Sequence, residues 1–332
     1  MKAVVADAFG GNWSIRELPD PEPGPDEVVV KIEASGICYT DIQQLMNPNY
    51  HGTFPRVPGH EPVGVIVARG ASVDSLELGT RVGAAYVQRW CGACAHCEKG
   101  RYEHCAAISA TGVSIDGGHA ELMVAHAASL EPIPPDIDPA EAAPIMCAGY
   151  TVYSGIKDCA LEPGERCAVI GVGGLGHLAI QYAAALGAEV VAVTRDASKE
   201  PLLRALGAAS VVVPTDGKVG HALREIGGVD VMLHTANRAE TELLKGLRPY
   251  GRLSLMGVTS DAVAASAQDM VFGKLTIVGS SQGPRTRLRE VLELHARSGA
   301  KTAVERYSLD DALSGFARVE SGSARFRAVL TP

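Results

Sequence analysis

The chain has 332 residues, of which 46% are hydrophobic, and this length and composition are typical of two globular domains or one large one. The formal net charge of −8 and the lack of a basic run argue against a nucleic-acid partner. No apolar stretch reaches the ~18 residues of a membrane span, so we expect no membrane association. The first residues, MKAVVADAFGGNWSI, lack the apolar core and cleavage site of a signal peptide, and we expect a cytoplasmic protein.

The first part of the chain is predicted to be rich in β-strands. The stretch PDPEPGPDE (19–27) is predicted to be a surface loop. It is followed by VVVKIEASGI (28–37) and GVIVARG (64–70), which are rich in β-branched residues and broken by glycine. This pattern indicates short strands of a β domain.

Four cysteines fall within fifteen residues in CGACAHCEKGRYEHC (91–105). The spacing C-x2-C-x2-C-x7-C is typical of metal sites, because thiolates so spaced can converge on one ion. A disulfide framework is disfavoured, since such frameworks stabilise small domains that cannot bury a core. The spacing alone fits either a structural zinc or an iron–sulfur cluster at these four residues: Cys91, Cys94, Cys97 and Cys105.

From about residue 150 the chain alternates β-branched runs with helical patterns. Between the first two runs, Leu175, Leu178, Ala179, Tyr182 and Leu186 recur at the spacing of a buried helix face. Six strands with helical segments between them predict a doubly wound parallel sheet. The predicted strands lie at 165–173, 189–195, 210–214, 229–236, 251–258 and 274–281.

The stretch GVGGLG (171–176) matches the G-x-G-x-x-G motif of dinucleotide-binding folds. It lies between a predicted strand and the predicted helix, which is the setting that the motif requires. Gly171 would permit the tight turn, Gly173 would let the backbone approach a pyrophosphate, and Gly176 would allow close helix–strand packing. With Gly174 beside them, these glycines are predicted to bind the phosphates at the helix N-terminus.

The second predicted strand of this domain ends in Thr194 and Arg195 rather than in an acidic residue. A carboxylate at this position would bind the ribose hydroxyls of NAD(H) and repel a 2′-phosphate, whereas a guanidinium can pair with that phosphate. We therefore expect NADP(H) to be favoured, with NAD(H) possible. Lys199 could contact either ribose.

Three further candidate ligands are dispersed along the chain. Cys38 lies in GICYTD, His60 in PGHE and Cys147 in APIMCAGYTVY. Any one of them alone would be more typical of a buried structural residue. Their joint occurrence in these settings is what indicates a function.

In order and approximate spacing, GICYTD, VPGHE, the four-cysteine loop, MCAGYTVY and GVGGLG resemble the zinc-dependent medium-chain alcohol dehydrogenases. The resemblance covers nearly the whole chain. It implies an α/β protein in which a GroES-like β-rich catalytic domain (1–148 and 283–332) accompanies a Rossmann domain (149–282). The Rossmann domain would contain the doubly wound, parallel six-stranded sheet.

The resemblance also implies two zinc ions per chain. The four-cysteine loop would hold a structural zinc, and Cys38, His60 and Cys147 would hold a catalytic zinc with a position left for water or substrate. Asp41 would orient the histidine ligand, and Glu61 would be the acid behind the metal. Two cysteines match no ligand position and are expected to be ordinary buried thiols: Cys159 and Cys167.

The implied activity is hydride transfer between a primary or secondary alcohol, or the corresponding aldehyde or ketone, and a nicotinamide cofactor. By the same resemblance, Thr40 would bond the alcohol hydroxyl and begin the proton path. Thr151 and Val258 would contact the nicotinamide, and Arg327 would contact the pyrophosphate. Relatives commonly form homodimers or homotetramers, and we expect one of these states.

The chain departs from the family pattern at two positions. Gln43 occupies the place of a histidine that passes the proton to solvent, so either water or His51 would take that step. Tyr39 occupies the place of a His or Arg that often faces the pyrophosphate. Aromatic side chains are expected to line an apolar substrate pocket: Tyr86, Tyr50 and Phe54.

Three alternatives remain at this stage. The chain could be an NAD-dependent alcohol dehydrogenase, or a polyol dehydrogenase of the same superfamily, in which a carboxylate often replaces the third zinc cysteine. Cys147 counts against the polyol enzyme. A catalytically silent, zinc-stabilised scaffold would be favoured by loss of ligands or of Thr40, all of which are present.

Overall fold

The computed structural model describes residues 1–10, 13–46, 53–215, 217–238 and 242–332. The chain forms two compact units. The first joins Met1–Cys147 to Pro284–Ala296 and Lys301–Pro332, and the second comprises Ala148–Gly283 and Arg297–Ala300. In the described ranges, no helix is both long and apolar enough to cross a bilayer.

The first unit is rich in short strands. Its N-terminal elements are β1 (Lys2–Ala6), β2 (Trp13–Glu17), β3 (Glu27–Ile37), α1 (Tyr39–Met46), β4 (Glu61–Arg69), β5 (Arg81–Ala84), β6 (Val87–Arg89), β7 (Ser109–Ala110), β8 (Leu122–His126), β9 (Leu130–Pro132) and α2 (Pro139–Ala142).

The second unit alternates helices and strands. Its elements are α3 (Ala148–Asp158), β10 (Arg166–Ile170), α4 (Gly176–Ala185), β11 (Glu189–Val193), α5 (Glu200–Ala205), β12 (Ser210–Val212), α6 (Val219–Glu225), β13 (Val229–His234), β14 (Leu247–Leu255), α7 (Ala267–Gly273) and β15 (Thr276–Gly279). The chain then continues through α8 (Thr286–Ser298), β16 (Val304–Tyr307), α9 (Ala312–Glu320) and β17 (Arg327–Leu330).

A seven-stranded sheet forms the centre of the first unit, in the order β16-β17-β3-β4-β5-β9, with β8 also paired to β3. The long strand β3 is antiparallel to β4, β8 and β17. Alternate residues of β3, among them Val28, Val30 and Ile32, pack into a core with Ile66 and Val82. Because β3 pairs with both β4 and β17, residues distant in sequence meet at its C-terminal end.

The second unit contains one parallel six-stranded sheet in the order β12-β11-β10-β13-β14-β15. Its central strands are continuous apolar runs, and both Cys167–Ile170 and Val190–Val193 are buried. Such runs are typical of parallel strands that are covered on both faces. The structure confirms the predicted fold class, a β-rich GroES-like domain with a six-stranded Rossmann sheet.

The helix after the glycine loop buries the predicted face only in part. Leu178, Ala179 and Tyr182 are fully buried on α4. Leu175 and Leu186 flank the helix, which begins at Gly176 and ends at Ala185. The predicted periodicity therefore included one residue beyond each end of the helix.

Candidate active site

The strand register of the first unit brings four potential metal donors together. Gly36 of β3 lies opposite Glu61 of β4, so the end of β3 places Cys38 beside His60 and Glu61. Cys147 joins them at the end of a 3-10 turn. One donor atom of each residue lies within 4.8 Å of the others in the set Cys38, His60, Glu61 and Cys147.

The distance between the two sulfur atoms fits a tetrahedral zinc ion. Cys38 Sγ and Cys147 Sγ are 4.0 Å apart. Two thiolates on one tetrahedral zinc at ~2.3 Å each are separated by about 3.8 Å, whereas a disulfide needs ~2 Å. The two thiols and the imidazole of His60 therefore fit zinc, with room in its coordination sphere for water or substrate.

The hydrogen bond between the two thiols shifts their pKa values in opposite directions. The hydrogen bond from Cys147 is the main cause that lowers the pKa of Cys38, and His60 lowers it further, while burial opposes both. The same hydrogen bond and burial raise the pKa of Cys147. The hydrogen bond therefore favours ionisation of Cys38 over ionisation of Cys147, and a zinc ion would require both thiols to lose their protons.

Asp41 fixes the orientation of His60. Its carboxylate accepts from His60 Nδ1 at 2.6 Å through Oδ1 and from the backbone N–H of Cys38 at 2.8 Å through Oδ2. Burial opposes the charged form, but His60 lowers the pKa of Asp41 well below its usual range. Since Nδ1 is bonded to Asp41, Nε2 of His60 is the nitrogen left for a metal.

Glu61 pairs with Arg327 behind the donor set. The guanidinium Nη2 donates to Glu61 Oε1, and both side chains are buried. Burial raises the pKa of Glu61 to about 7, although the charge of Arg327 opposes this. Glu61 Oε2 has no hydrogen-bond partner among the described residues, so this oxygen fits a cation. The predicted contact of Arg327 with a pyrophosphate stays a prediction.

The cysteines of the loop 91–105 form a second cluster. Cys91 Sγ and Cys97 Sγ are 3.9 Å apart, again close to the separation on tetrahedral zinc. Cys105 Sγ accepts from the backbone N–H groups of Cys91 and Ala107 at 3.4 Å each. Neighbouring backbone N–H groups lower the pKa of Cys91 to about 6. The four converging sulfurs fill a tetrahedron, as in structural zinc sites: Cys91, Cys94, Cys97 and Cys105.

The glycine loop of the second unit has the backbone geometry of a phosphate site. Gly171 has φ +89°, and a Cβ on Gly176 would lie 2.1 Å from Gly171 O, so both positions require glycine. A Cβ on Gly173 would meet nothing within 4 Å, which leaves space for a ligand beside the backbone. Gly174 lies in the same turn, two residues before α4 begins. The N-terminus of α4 is thus open to an anion.

At the end of β11, Thr194 is buried and Arg195 is exposed. Thr194 Oγ1 accepts from the N–H of Asp196 at 3.2 Å. Asp196 follows directly, and its carboxylate accepts from the N–H of Ser198 at 3.0 Å and from the Ser198 hydroxyl at 2.6 Å. The nearest carboxylate to the strand end is therefore engaged in capping a turn, which ends at the exposed Lys199.

The remaining predicted residues differ in their surroundings. The ring of Tyr86 lies edge-on to that of His60, with centroids 5.8 Å apart. Phe54 instead packs on Phe9, with centroids 4.6 Å apart. Thr40 is half-buried at the start of α1. Predicted residues that lie outside the described ranges are His51 and Tyr50.

Two predicted cofactor contacts lie in the second unit, where Thr151 is buried in α3 and Val258 is exposed after β14. Cys159 and Cys167 are buried thiols outside both metal-binding clusters, in keeping with their expected role.

Sequence reasoning missed His119, which lies 3.8 Å from Asp41. The signal that could have found it is the glycine pair directly before it in GGHAE.

A parallel dinucleotide-type sheet and a buried thiol–imidazole metal site together define a metal-dependent oxidoreductase. Two family models match the chain: "Alcohol dehydrogenase GroES-like domain" over residues 24–135 and "Zinc-binding dehydrogenase" over residues 174–297. An alcohol dehydrogenase of Moraxella sp. (strain TAE123) is 37% identical, with 99% of each chain covered.

Solved structures of dehydrogenases are similar to this chain over nearly its whole length. A cinnamyl alcohol dehydrogenase from Sorghum bicolor has a TM-score of 0.90 at 28% identity, covering 99% of this chain and 97% of its own. A zinc-binding dehydrogenase from Sinorhizobium meliloti 1021 bound to NADP has a TM-score of 0.88 at 30% identity, with coverage of 100% and 99%. The chain belongs to the zinc-containing medium-chain alcohol dehydrogenase family. It has the two zinc sites of a zinc-dependent alcohol dehydrogenase and uses a nicotinamide cofactor.

Proposed function

We propose that the chain moves a hydride between the carbinol carbon of a primary or secondary alcohol and C4 of a nicotinamide, with NADP(H) favoured over NAD(H). In the reverse direction it reduces the corresponding aldehyde or ketone. The observation that carries this proposal is the buried set of Cys38, His60 and Cys147, with Glu61 behind it. A zinc ion in this set would act as a Lewis acid on the alcohol or carbonyl oxygen.

We assign the first proton transfer to Thr40. Thr40 lies two residues beyond Cys38, on the same turn that carries Asp41. Its hydroxyl would accept a hydrogen bond from the alcohol and, as it takes up that proton, pass its own proton on towards solvent. Gln43 cannot titrate, so the final transfer to solvent falls to water or to His51. The edge-on ring of Tyr86 beside His60 provides an apolar wall, which favours simple alcohols and aldehydes over polyols.

We assign cofactor binding to the glycine loop and to the residues after β11. Gly171, Gly173, Gly174 and Gly176 would hold the pyrophosphate, to which Arg327 is also assigned. Thr151 and Val258 would contact the nicotinamide. Support for NADP(H) comes from the exposed Arg195 and from Asp196, whose carboxylate is occupied by Ser198.

The decisive experiment combines a substrate panel with metal counting. The parent enzyme is expected to hold two zinc ions and to turn over alcohols and aldehydes, assayed with NAD(H) and NADP(H). Cys38→Ser is expected to hold one zinc, to keep its circular dichroism spectrum and to lose turnover. Cys159→Ala, a cysteine outside both clusters, is the matched control and should retain both zinc ions. Normal turnover or two bound zinc ions in Cys38→Ser would refute the assignment.

We further propose a homodimer or homotetramer in the cytoplasm. All eight cysteines are thiols in the structure, which suits a reducing compartment. Light scattering of the zinc-loaded enzyme tests the oligomeric state.

A further inference from the structure

A short segment before β8 is hydrogen-bonded to the turn 57–60, which carries His60. We call this set of bonds the clamp. Residues 117–119 bind the turn through three backbone hydrogen bonds: Gly117 N to Val57 O at 2.7 Å, Gly118 N to Gly59 O at 2.8 Å, and His119 N to Pro58 O at 3.0 Å. The clamp therefore reaches the residue directly before the histidine of the catalytic cluster.

The close approach depends on glycine. A Cβ at Gly117 would lie 2.3 Å from Gly59 O, and a Cβ at Gly118 would lie 2.4 Å from Pro62 Cβ. The ring of His119 then covers Gly59, where a Cβ would lie 2.6 Å from the ring Nδ1. The imidazole is fully buried at this point.

Two polar groups face the nitrogens of this ring. Ser35 Oγ lies 2.9 Å from Nδ1, and Asp41 Oδ2 lies 3.8 Å from Nε2. Nε2 has no hydrogen-bond partner among the described residues. If Ser35 donates to Nδ1, the ring proton is on Nε2 and points its positive end at the carboxylate. The other tautomer would point a lone pair at a negative charge, so the first is favoured.

We propose that His119 is a positioning residue for the catalytic zinc. Its Nε2–H attracts Oδ2 of the Asp41 carboxylate, while Oδ1 stays on His60 Nδ1. At 3.8 Å this attraction is electrostatic rather than a direct hydrogen bond. The tautomer and the ring angle of the metal ligand His60 are thereby fixed by a series of side chains, Ser35, His119 and Asp41. The inference rests on the zinc site of the proposed function.

A matched pair of amide variants separates positioning from packing. In His119→Gln the side-chain amide nitrogen falls near the place of Nε2, so the donor toward Asp41 is kept. In His119→Asn the amide falls near the place of Nδ1, so the link to Ser35 is kept and the donor toward Asp41 is lost. Both variants replace the ring by an amide, so both disturb the packing.

The readout is the dissociation constant of the catalytic zinc, measured on the two-zinc enzyme by competition with a chelator. Groups behind metal ligands commonly contribute 10–100-fold in affinity. We expect His119→Asn to weaken binding by about tenfold and His119→Gln to stay within about threefold of the parent. The lobe zinc, on the separate four-cysteine cluster, is the internal reference and should be unchanged.

Equal affinity in both variants and the parent, or equal weakening in both variants, would show that His119 only fills space. Failure of the proposed function has a different signature, because the parent itself would then hold no zinc at Cys38, His60 and Cys147. Ser35→Ala provides a second test that leaves the ring in place. It should weaken zinc binding in the same direction, and an unchanged constant would contradict the tautomer argument.

Discussion

Gly36 and Glu61 face each other across β3 and β4, and a Cβ at position 36 would lie 2.0 Å from Glu61 Oε2. The carboxylate therefore lies over the backbone of β3 at a point where no side chain fits. This contact holds Glu61 next to Cys38 and within reach of Arg327.

The first prediction follows from this contact. Gly36→Ala should displace the Glu61 carboxylate, cost about 1–3 kcal/mol of stability as an overpacked core does, and lower kcat at least tenfold. Thermal unfolding and steady-state kinetics measure the two effects. Gly279→Ala is the matched control, because a Cβ there meets nothing within 4 Å. Equal behaviour of the two variants would mean that Glu61 can move without consequence.

The second prediction concerns the four-cysteine loop (91–105). Cys94→Ser should remove one zinc and lower Tm, because a closed four-thiolate site contributes to folding rather than to chemistry. The kcat/KM of the remaining folded protein should stay within about threefold of the parent. Atomic absorption and a thermal melt give the two numbers. A folded variant that loses turnover but no stability would contradict the structural role, and an iron–sulfur absorption band in the parent would contradict zinc itself.

The third prediction concerns cofactor preference. The parent should favour NADP(H) by about ten- to hundredfold, since a charge-assisted bond from Arg195 to a 2′-phosphate contributes roughly 1.5–3 kcal/mol. Changing Thr194→Asp together with Arg195→Ile should swing kcat/KM towards NAD(H). Lys199→Ala alone should change both cofactors by similar factors. If the parent already prefers NAD(H), Arg195 is an ordinary surface charge.

The fourth prediction concerns pH. His295 of α8 is buried with its Nε2 3.8 Å from Glu141 Oε2, while Lys301 Nζ lies 3.5 Å from the same oxygen. Burial, assisted by the charge of Lys301, lowers the pKa of His295 from 6.5 to about 4. Between these values the unfolded chain binds a proton that the folded chain does not. Stability is therefore full above pH 6.5 and is lost as the pH falls towards 4.

At ~1.4 kcal/mol per pKa unit, the fall in the pKa of His295 from 6.5 to about 4 corresponds to a loss of about 3.5 kcal/mol. The variant His295→Leu should lose less stability than the parent between pH 7 and pH 4.5. The difference between the two Tm profiles is the quantity to measure, because zinc release and carboxylate protonation affect both proteins alike. Parallel profiles would show that His295 is not the responsible group.

Local sequence signals predicted much of this molecule. Strand-rich runs, the G-x-G-x-x-G loop and the short cysteine spacing each depend on neighbouring residues, and the fold class followed from them. The predicted start of β14 at residue 251 was wrong, because local turn signals there conflict with the pairing of neighbouring strands. β14 begins at Leu247 and continues through Pro249 and Gly251, residues that indicate a turn, because pairing with β13 extends it.

The environment of the metal donors could not be predicted in this way. The ion pair of Glu61 and Arg327 and the approach of His119 to Asp41 depend on strand register across most of the chain. Periodicity within a window carries no information on such contacts. The family resemblance supplied the ligand positions and Asp41, but it did not supply Arg327 as the partner of Glu61 or His119 as a neighbour of Asp41.

The 266-residue separation between Glu61 and Arg327 has a consequence for biosynthesis. At about 5–20 residues per second, a ribosome needs tens of seconds to make the intervening chain. During that time the main segment of the second unit, Ala148–Gly283, can fold, while Glu61 lacks the guanidinium of Arg327 that accompanies its burial. The order of synthesis therefore delays completion of the catalytic zinc site until β17 has emerged. All four cysteines of the four-cysteine loop are made long before β17.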